Sequence, residues 1–273
     1  MDYGYHNGNI LPREELIIDV ADLGFQYGLG LFETVKINHG KPIWLEEHIS
    51  RLQAGLEVLH ISPAGLDGEL SSAVPEVIRA TRLEMGSVKI MTSGYGPGRP
   101  DNVFVTVKKG IPYSHEQRRK GFSVAIVSLL RRNPLSPFVG LKSLNFGENI
   151  LARSEVAAKG ADEGLLLNTD GFTAEGTVSN IFWYDGKVLK TPSISAGILP
   201  GIARAKIMET AAKLTIPVQQ VLAEPGELSS AQEIFLTNSL MGIMPVTVFE
   251  GKPLAREKNR IIDVLNGELD HIW

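Results

Sequence analysis

The 273-residue chain contains no cysteine. Disulfides, thiolate metal sites and cysteine nucleophiles are thereby excluded. Charge of one sign is also scarce. The formal net charge is −4 and no basic run exceeds a few residues, which argues against nucleic acid as a partner. The longest apolar run, "VAIVSLL" at 124–130, is far shorter than the ~20 residues that cross a bilayer, so no membrane partner is expected. The six histidines never pair at ligand spacing, and no metal is expected. P-loop, dinucleotide-binding and G-x-S-x-G patterns are missing as well. The stretch "MDYGYHNGNILPREE" lacks the basic-then-apolar order of a signal peptide. A cytoplasmic protein is the expectation.

What is present is an ordinary mixture, 43% hydrophobic and 21% charged, with strands and helices interleaved. Short strand-like pieces open the chain: "ELIIDVADLG", then "LFETVKI", which turns at "NHG" into "KPIWL" as a hairpin. A helix is predicted from about Glu46 to His60, with Ile49, Leu52, Leu56 and Leu59 on one face. Another covers roughly 67–85. Strands "SVKIMTS" and "NVFVTVKK" follow, joined by the loop "GYGPGRPD". The polar, cation-rich "GIPYSHEQRRKG" reads as a linker. This divides the chain into 1–110, a linker at 111–121, and 122–273.

The second part begins with strand "FSVAIVSLL", a proline loop over Asn133–Gly140, Lys142, and a helix at 146–159. Several strands punctuated by Asp170-Gly171 and Asp185-Gly186 come next. A helix begins near "LPGIARAKIMETAAKL", strands "EIFLTNS" and "MPVTVFEGKPL" follow, and a last helix starts at about 256. Short hairpin connections make this an α+β pattern rather than a doubly wound parallel sheet.

Polar chemistry collects at element ends. Lys142 lies between apolar Leu141 and Leu144, Glu175 precedes "GTVSN", and Arg51 sits on the first helix. Gly201-Ile202-Ala203 opens a helix, where free N–H groups suit an anion, and Thr237-Asn238-Ser239 ends a strand. Taken singly, each has an ordinary reading as solvated surface or turn.

Taken together, the ordered blocks "LGFQYGLGLFETVKI", "LEEHISRL", "LKSLNFGENILARSE", "ADEGLLLNTDGFTAEGTVSNIFW", "GILPGIARAKIMETA" and "FLTNSLMGIMPV" resemble the class IV aminotransferase family. These are fold-type IV pyridoxal-phosphate enzymes, and the likeness covers about residues 15 to 250. The resemblance implies a small N-terminal α/β domain and a larger C-terminal domain with pyridoxal 5'-phosphate between them, in a homodimer. It makes Lys142 the Schiff-base lysine; a lysine between apolar neighbours can have its ammonium form disfavoured by desolvation. By the same resemblance Glu175 pairs with the cofactor's ring nitrogen and Arg51 binds its phosphate. The N–H groups of Ile202 and Ala203 and the Ser239 hydroxyl complete the phosphate site, and Asn180 fixes the loop carrying Glu175. Phe32 and Phe25 are candidates for shaping the substrate pocket, and Arg99 for holding a substrate carboxylate.

Within the family the block "KSLNF" departs from the branched-chain pattern. "NSLMGIMPV" and "RRNPLSPFVGLKSLN" resemble those of 4-amino-4-deoxychorismate lyase, which forms 4-aminobenzoate and pyruvate for folate synthesis. Phe25 stands where some lyases carry a threonine. Phe32 replaces a tyrosine of the D-amino acid aminotransferases, and Arg99 lacks the histidine that accompanies it there. The expectation is the lyase, with D-amino acid or branched-chain aminotransferase as the alternative and non-catalytic cofactor binding as a remote one.

Overall fold

Asn7 and Gly8 both adopt positive φ, 43° and 97°, and turn β1 (Tyr3–His6) back on β2 (Asn9–Pro12). Asn-Gly supplies the left-handed pair that such a tight hairpin requires. The computed structural model describes residues 3–62, 64–94, 102–254, 261–269 and 273. The chain forms two units, one of residues 1–112 with Leu141–Phe146 and Trp273, the other of Tyr113–Gly140 with 147–272.

The expected strand at "ELIIDVADLG" is not formed. Asp19 accepts the Ala21 N–H and Asp22 accepts the Phe25 N–H, local bonds that compete with strand pairing. Asp22 instead caps the short helix α1 (Leu23–Tyr27). Beyond it run β3 (Gly30–Asn38), β4 (Lys41–Pro42), α2 (Leu45–Val58), α3 (Leu66–Thr81), β5 (Met85–Ser93) and β6 (Asn102–Lys109). The six strands form one antiparallel sheet in the order β2-β1-β6-β5-β3-β4. Period-two alternation gives that sheet two faces. Leu31, Val35, Ile37, Val88, Ile90, Val103 and Val105 join Leu52, Leu56, Leu70 and Val74 of α2 and α3 in a buried core. Phe32, Thr34, Lys89, Met91, Phe104 and Thr106 alternate with them on the other face.

Short β4 pairs only with Ile37 and Asn38, which leaves the start of β3 an open edge. The segment Leu141–Phe146 takes it. The Phe32 N–H donates to the Lys142 carbonyl at 2.8 Å, the Leu144 N–H to the Gly30 carbonyl at 2.9 Å, and Leu31 bridges Ser143. Gly30 is required here, because a Cβ would stand 2.2 Å from the Thr92 carbonyl oxygen and 2.6 Å from Leu144 Cδ1.

In the second unit the stretch read as a linker contains α4 (His115–Lys120), whose Ser114 and Gln117 form a reciprocal capping box. After it come β7 (Phe122–Ile126), α5 (Gly147–Ala158), β8 (Glu163–Leu167), β9 (Thr173–Gly176), β10 (Asn180–Tyr184), β11 (Leu189–Pro192) and α6 (Ile202–Lys213). The remainder is β12 (Val218–Val221), α7 (Gly226–Ser229), β13 (Glu233–Asn238), β14 (Gly242–Phe249), β15 (Lys252–Pro253) and α8 (Ile261–Leu269). Nine strands make one mixed sheet, ordered β12-β11-β10-β13-β14-β7-β8-β9 with β15 against β14. Phe122, Leu165, Ile181, Trp183, Leu236 and Met244 carry its core. Among the described residues no helix is long and apolar enough to cross a membrane.

A buried carboxylate lies inside the first unit. Glu33 points from β3 into the helix-covered face and is 1% exposed. Arg51 Nε and Nη2 donate to its two oxygens at 2.8 and 2.7 Å, and His48 Nδ1 lies 2.6 Å away. Burial pushes the Glu33 carboxyl up, but the Arg51 charge and the hydrogen bonds from His48 and Arg51 outweigh it and bring the pKa to about 2. A folded-state pKa below the ordinary 4.5 means that the ionised group stabilises the fold fully above about pH 4.5. That contribution is lost as the pH falls towards 2. Glu33→Gln strands the Arg51 charge and is expected to cost about 3–5 kcal/mol near neutrality. Denaturant unfolding of both proteins across pH 2 to 7 should find the gap closing only at the acid end; a constant gap would contradict it.

Candidate active site

In the first unit, the edge pairing against β3 holds Lys142 with its backbone fixed on both sides. Its Nζ lies 4.6 Å from the centre of the Phe32 ring, and Phe32 meets Phe146 edge-on at 5.5 Å. The amine therefore rests on aromatic surface, which stabilises a cation through the ring quadrupole and limits its hydration. Two of the sequence candidates, Lys142 and Phe32, are thus in direct contact. Arg51 belongs to the opposite, helix-covered side of the same sheet, with two of its donors committed to Glu33. Phe25, on α1, is 65% exposed. Arg99 lies outside the described residues.

In the second unit, Glu175 occupies the wholly buried strand β9. A carboxylate there needs partners to remain charged. Arg132 Nε lies 3.0 Å from its Oε1, and the Leu199 N–H donates to its Oε2 at 3.0 Å. The Asn180 side-chain amide donates to the Leu199 carbonyl at 3.0 Å. It thus steadies the peptide that holds Glu175.

Helix α6 starts at Ile202 after Gly201, which brings no side-chain cap. The N–H groups of Ile202 and Ala203 belong to the first turn, where the helix dipole favours an anion. A Cβ on Gly201 would lie 1.9 Å from Asn180 Oδ1, so only glycine lets the backbone come this close. Ser239 sits in the turn between β13 and β14. Asn238 shapes that turn by accepting the Leu240 and Met241 N–H groups at 3.0 and 2.8 Å.

Three side chains that the sequence reading passed over support these positions. Arg132 is the cation beside Glu175; the signal was its place in the "RRNP" block ahead of Lys142, against a lone carboxylate in an apolar strand. Glu33 is the partner of Arg51. Glu163, 3% exposed, accepts the Gly164 and Thr177 N–H groups at 2.9 and 3.1 Å and the hydroxyls of Thr177 and Ser179. With Asn149 donating to the Thr177 carbonyl and Asn238 to that of Val178, the loop after Glu175 is held from three elements. Among the described residues no cluster of His, Asp and Glu fits a metal ion.

Comparison with known proteins agrees with this arrangement. Residues 30–249 match the family described as amino-transferase class IV. Aminodeoxychorismate lyase of Bacillus subtilis is 30% identical over 257 residues, covering 90% of this chain and 86% of that protein. D-Alanine aminotransferase of Bacillus licheniformis is 27% identical over 256 residues, with 91% and 88% covered. The crystal structure of Escherichia coli branched-chain amino acid aminotransferase shares the fold, with a TM-score of 0.91 at 24% identity over 99% of this chain and 94% of that one. The mixed α and β architecture is accordingly that of fold type IV. With the family match spanning most of its length, this chain belongs to the class IV aminotransferases, a family of pyridoxal-phosphate-dependent enzymes.

Proposed function

We propose that the protein is a 4-amino-4-deoxychorismate lyase, releasing 4-aminobenzoate and pyruvate, and that it works as a homodimer. The observation that carries the lyase reading is the block Asn238–Val246. It resembles the lyase form of this motif, and Asn238 builds it into a defined turn anchored to Val178 and Tyr113. The 30% identity to the Bacillus subtilis lyase supports the same reading.

The residues present fit pyridoxal phosphate. Lys142 offers an amine on an aromatic surface, Glu175 a buried carboxylate beside Arg132 and the Leu199 N–H, and α6 a first turn without a side-chain cap that starts at a closely packed glycine. In this reading Lys142 holds the cofactor as a Schiff base. Glu175 faces the ring nitrogen, and Ile202, Ala203, Ser239 and Arg51 bind the phosphate. Bound pyridoxal phosphate supplies an electron sink for carbanion chemistry. The Lys142 amine would serve as the base that takes a proton from the substrate ring. Loss of that proton together with the enolpyruvyl group aromatises the ring, and the departing group takes up a proton to give pyruvate.

Arg132 has a definite task here. Its positive charge lies beside a carboxylate that would stabilise a cationic ring as a neutral amide cannot. Glu175→Gln is therefore expected to slow turnover about 100-fold or more, with a much smaller loss of cofactor affinity. A variant that only bound the cofactor more weakly would refute the ring-nitrogen role.

An aminotransferase acting on D-amino or branched-chain amino acids is the second reading, favoured by the likeness to D-alanine aminotransferase. A single spectral experiment separates the two. Cofactor-loaded protein is mixed with D-alanine, L-leucine or L-glutamate without a keto acid, and then with aminodeoxychorismate. The lyase leaves the cofactor spectrum unchanged with all three amino acids and forms 4-aminobenzoate from the last. Conversion of the cofactor to its amine form by any amino acid makes the protein an aminotransferase. Borohydride reduction followed by peptide mapping should find the cofactor on Lys142, and Lys142→Ala should be inactive but folded; label elsewhere, or retained turnover, would contradict the Schiff-base role, and cofactor binding with no turnover of any of these substrates would favour a non-catalytic binder.

The homodimer is supported by the apolar side chains that the first unit leaves bare between residues 17 and 27. Ile17 is 74% exposed, Val20 75%, Phe25 65% and Tyr27 68%, four large apolar side chains close in sequence, and exposed apolar surface of this kind marks interaction sites when it is contiguous. Light scattering should give twice the chain mass, reduced by Val20→Asp. A wild-type mass of one chain would end the proposal.

A further inference from the structure

Asp22 does more than cap α1. It is buried, and its Oδ1 accepts the Phe25 N–H at 2.8 Å. Its Oδ2 is turned to the sheet, where Ser93 Oγ donates to it at 2.6 Å and Asn102 Nδ2 at 2.8 Å. Ser93 and Asn102 are directly opposite residues of β5 and β6. Helix and sheet are in close contact here, since a Cβ on Gly24 would stand 2.5 Å from Ser93 Cβ. Every partner of Asp22 among the described residues is a neutral donor.

Asn102 is held from its other end as well. His6 Nε2 lies 2.9 Å from Asn102 Oδ1. Because the Asn102 amide nitrogen is given to Asp22, its oxygen accepts, and His6 Nε2 carries the ring proton. The His6 ring is stacked on Phe104, with centres 4.1 Å apart and planes at 14°. The amide therefore cannot turn over without losing both bonds. At its far end α1 stops at Gly28, whose carbonyl accepts the Ser143 hydroxyl at 3.4 Å. The helix is fixed to the sheet at one end and reaches the segment carrying Lys142 at the other, with Phe25 between them.

We infer that Asp22 and Asn102 are positioning residues, which fix the placement of α1 and through it the side of the substrate pocket that Phe25 shapes. This rests on the proposed function, with Lys142 as the reactive lysine and Phe25 as a pocket residue, and extends it: neither Asp22 nor Asn102 touches the substrate, and both act through the helix. Capping alone does not require the second oxygen of Asp22, because asparagine caps a helix about as well as aspartate. The bonds to Oδ2 are the ones that tie the helix to the sheet. Without them α1 stays capped but can shift, which weakens substrate binding and leaves the reacting amine unaltered.

Turnover is measured for cofactor-loaded wild type, Asp22→Asn, Asn102→Asp and the double variant carrying both. The substrate is aminodeoxychorismate, or whichever amino acid converts the wild-type cofactor to its amine form. Asp22→Asn keeps a capping oxygen but turns a donor towards Ser93 and Asn102. Its KM should rise about tenfold with kcat nearly unchanged, the pattern of lost binding without lost chemistry. Asn102→Asp alone sets two carboxylates against each other and should raise KM at least as far. In the double variant amide and carboxylate exchange places, the bond between them re-forms in the reverse direction, and His6 keeps an acceptor. Its KM should return to within about threefold of wild type. An unchanged KM in Asp22→Asn, a loss confined to kcat, or no recovery in the double variant overturns the inference. Borohydride labelling is run on all four proteins. Label on Lys142 throughout assigns such a failure to the hydrogen-bond network alone. A wild type without that label, or inert towards every substrate, refutes the proposed function and the inference with it.

Discussion

Two backbone hydrogen bonds, Phe32 N–H to the Lys142 carbonyl and Leu144 N–H to the Gly30 carbonyl, hold the segment that carries Lys142. They add a piece of chain distant in sequence to the one stretch of β3 that β4 leaves unpaired. An unpaired strand edge is a demand for partners, and Leu141–Phe146 meets it. Everything local to Lys142 follows from this pairing. The strand sets the direction of the segment, Gly30 permits its close approach, and alternation along β3 brings Phe32 rather than Leu31 to the amine. A side chain at Gly30 would disturb the position of Lys142 through the backbone, without touching the amine itself.

Buried charge organises the rest, and each site settles it differently. Glu33 is answered by a bidentate arginine and a histidine inside a helix-covered core. Glu175 meets Arg132 and the Leu199 N–H. Glu163 is satisfied by peptide and hydroxyl donors.

Much of the architecture was legible in the linear sequence. The helices over 45–58, 147–158 and 202–213, and the strands from β3 to β14 that carry dense β-branched and aromatic residues, follow from periodicity alone. The hairpin at Asn7-Gly8 and the capping box at Ser114–Gln117 were equally present in the residues but are short signals, easily lost beside longer patterns. The apolar run "ELIIDV" misled because its composition is strand-like, whereas Asp19 and Asp22 divert its backbone and no neighbouring strand pairs with it. Composition records propensity; pairing needs a partner.

The sequence by itself determined the family and the α+β class, and it singled out Lys142, Glu175 and the start of α6 as candidates, because these rest on residue type and order. Only the tertiary structure decided what stands beside them. Arg132 and Glu175 are 43 positions apart and Arg51 and Glu33 18, and no local pattern couples them. The energy of a buried charge depends on which groups lie within a few ångströms, and that distance is fixed by sheet register and strand-edge pairing, not by separation along the chain.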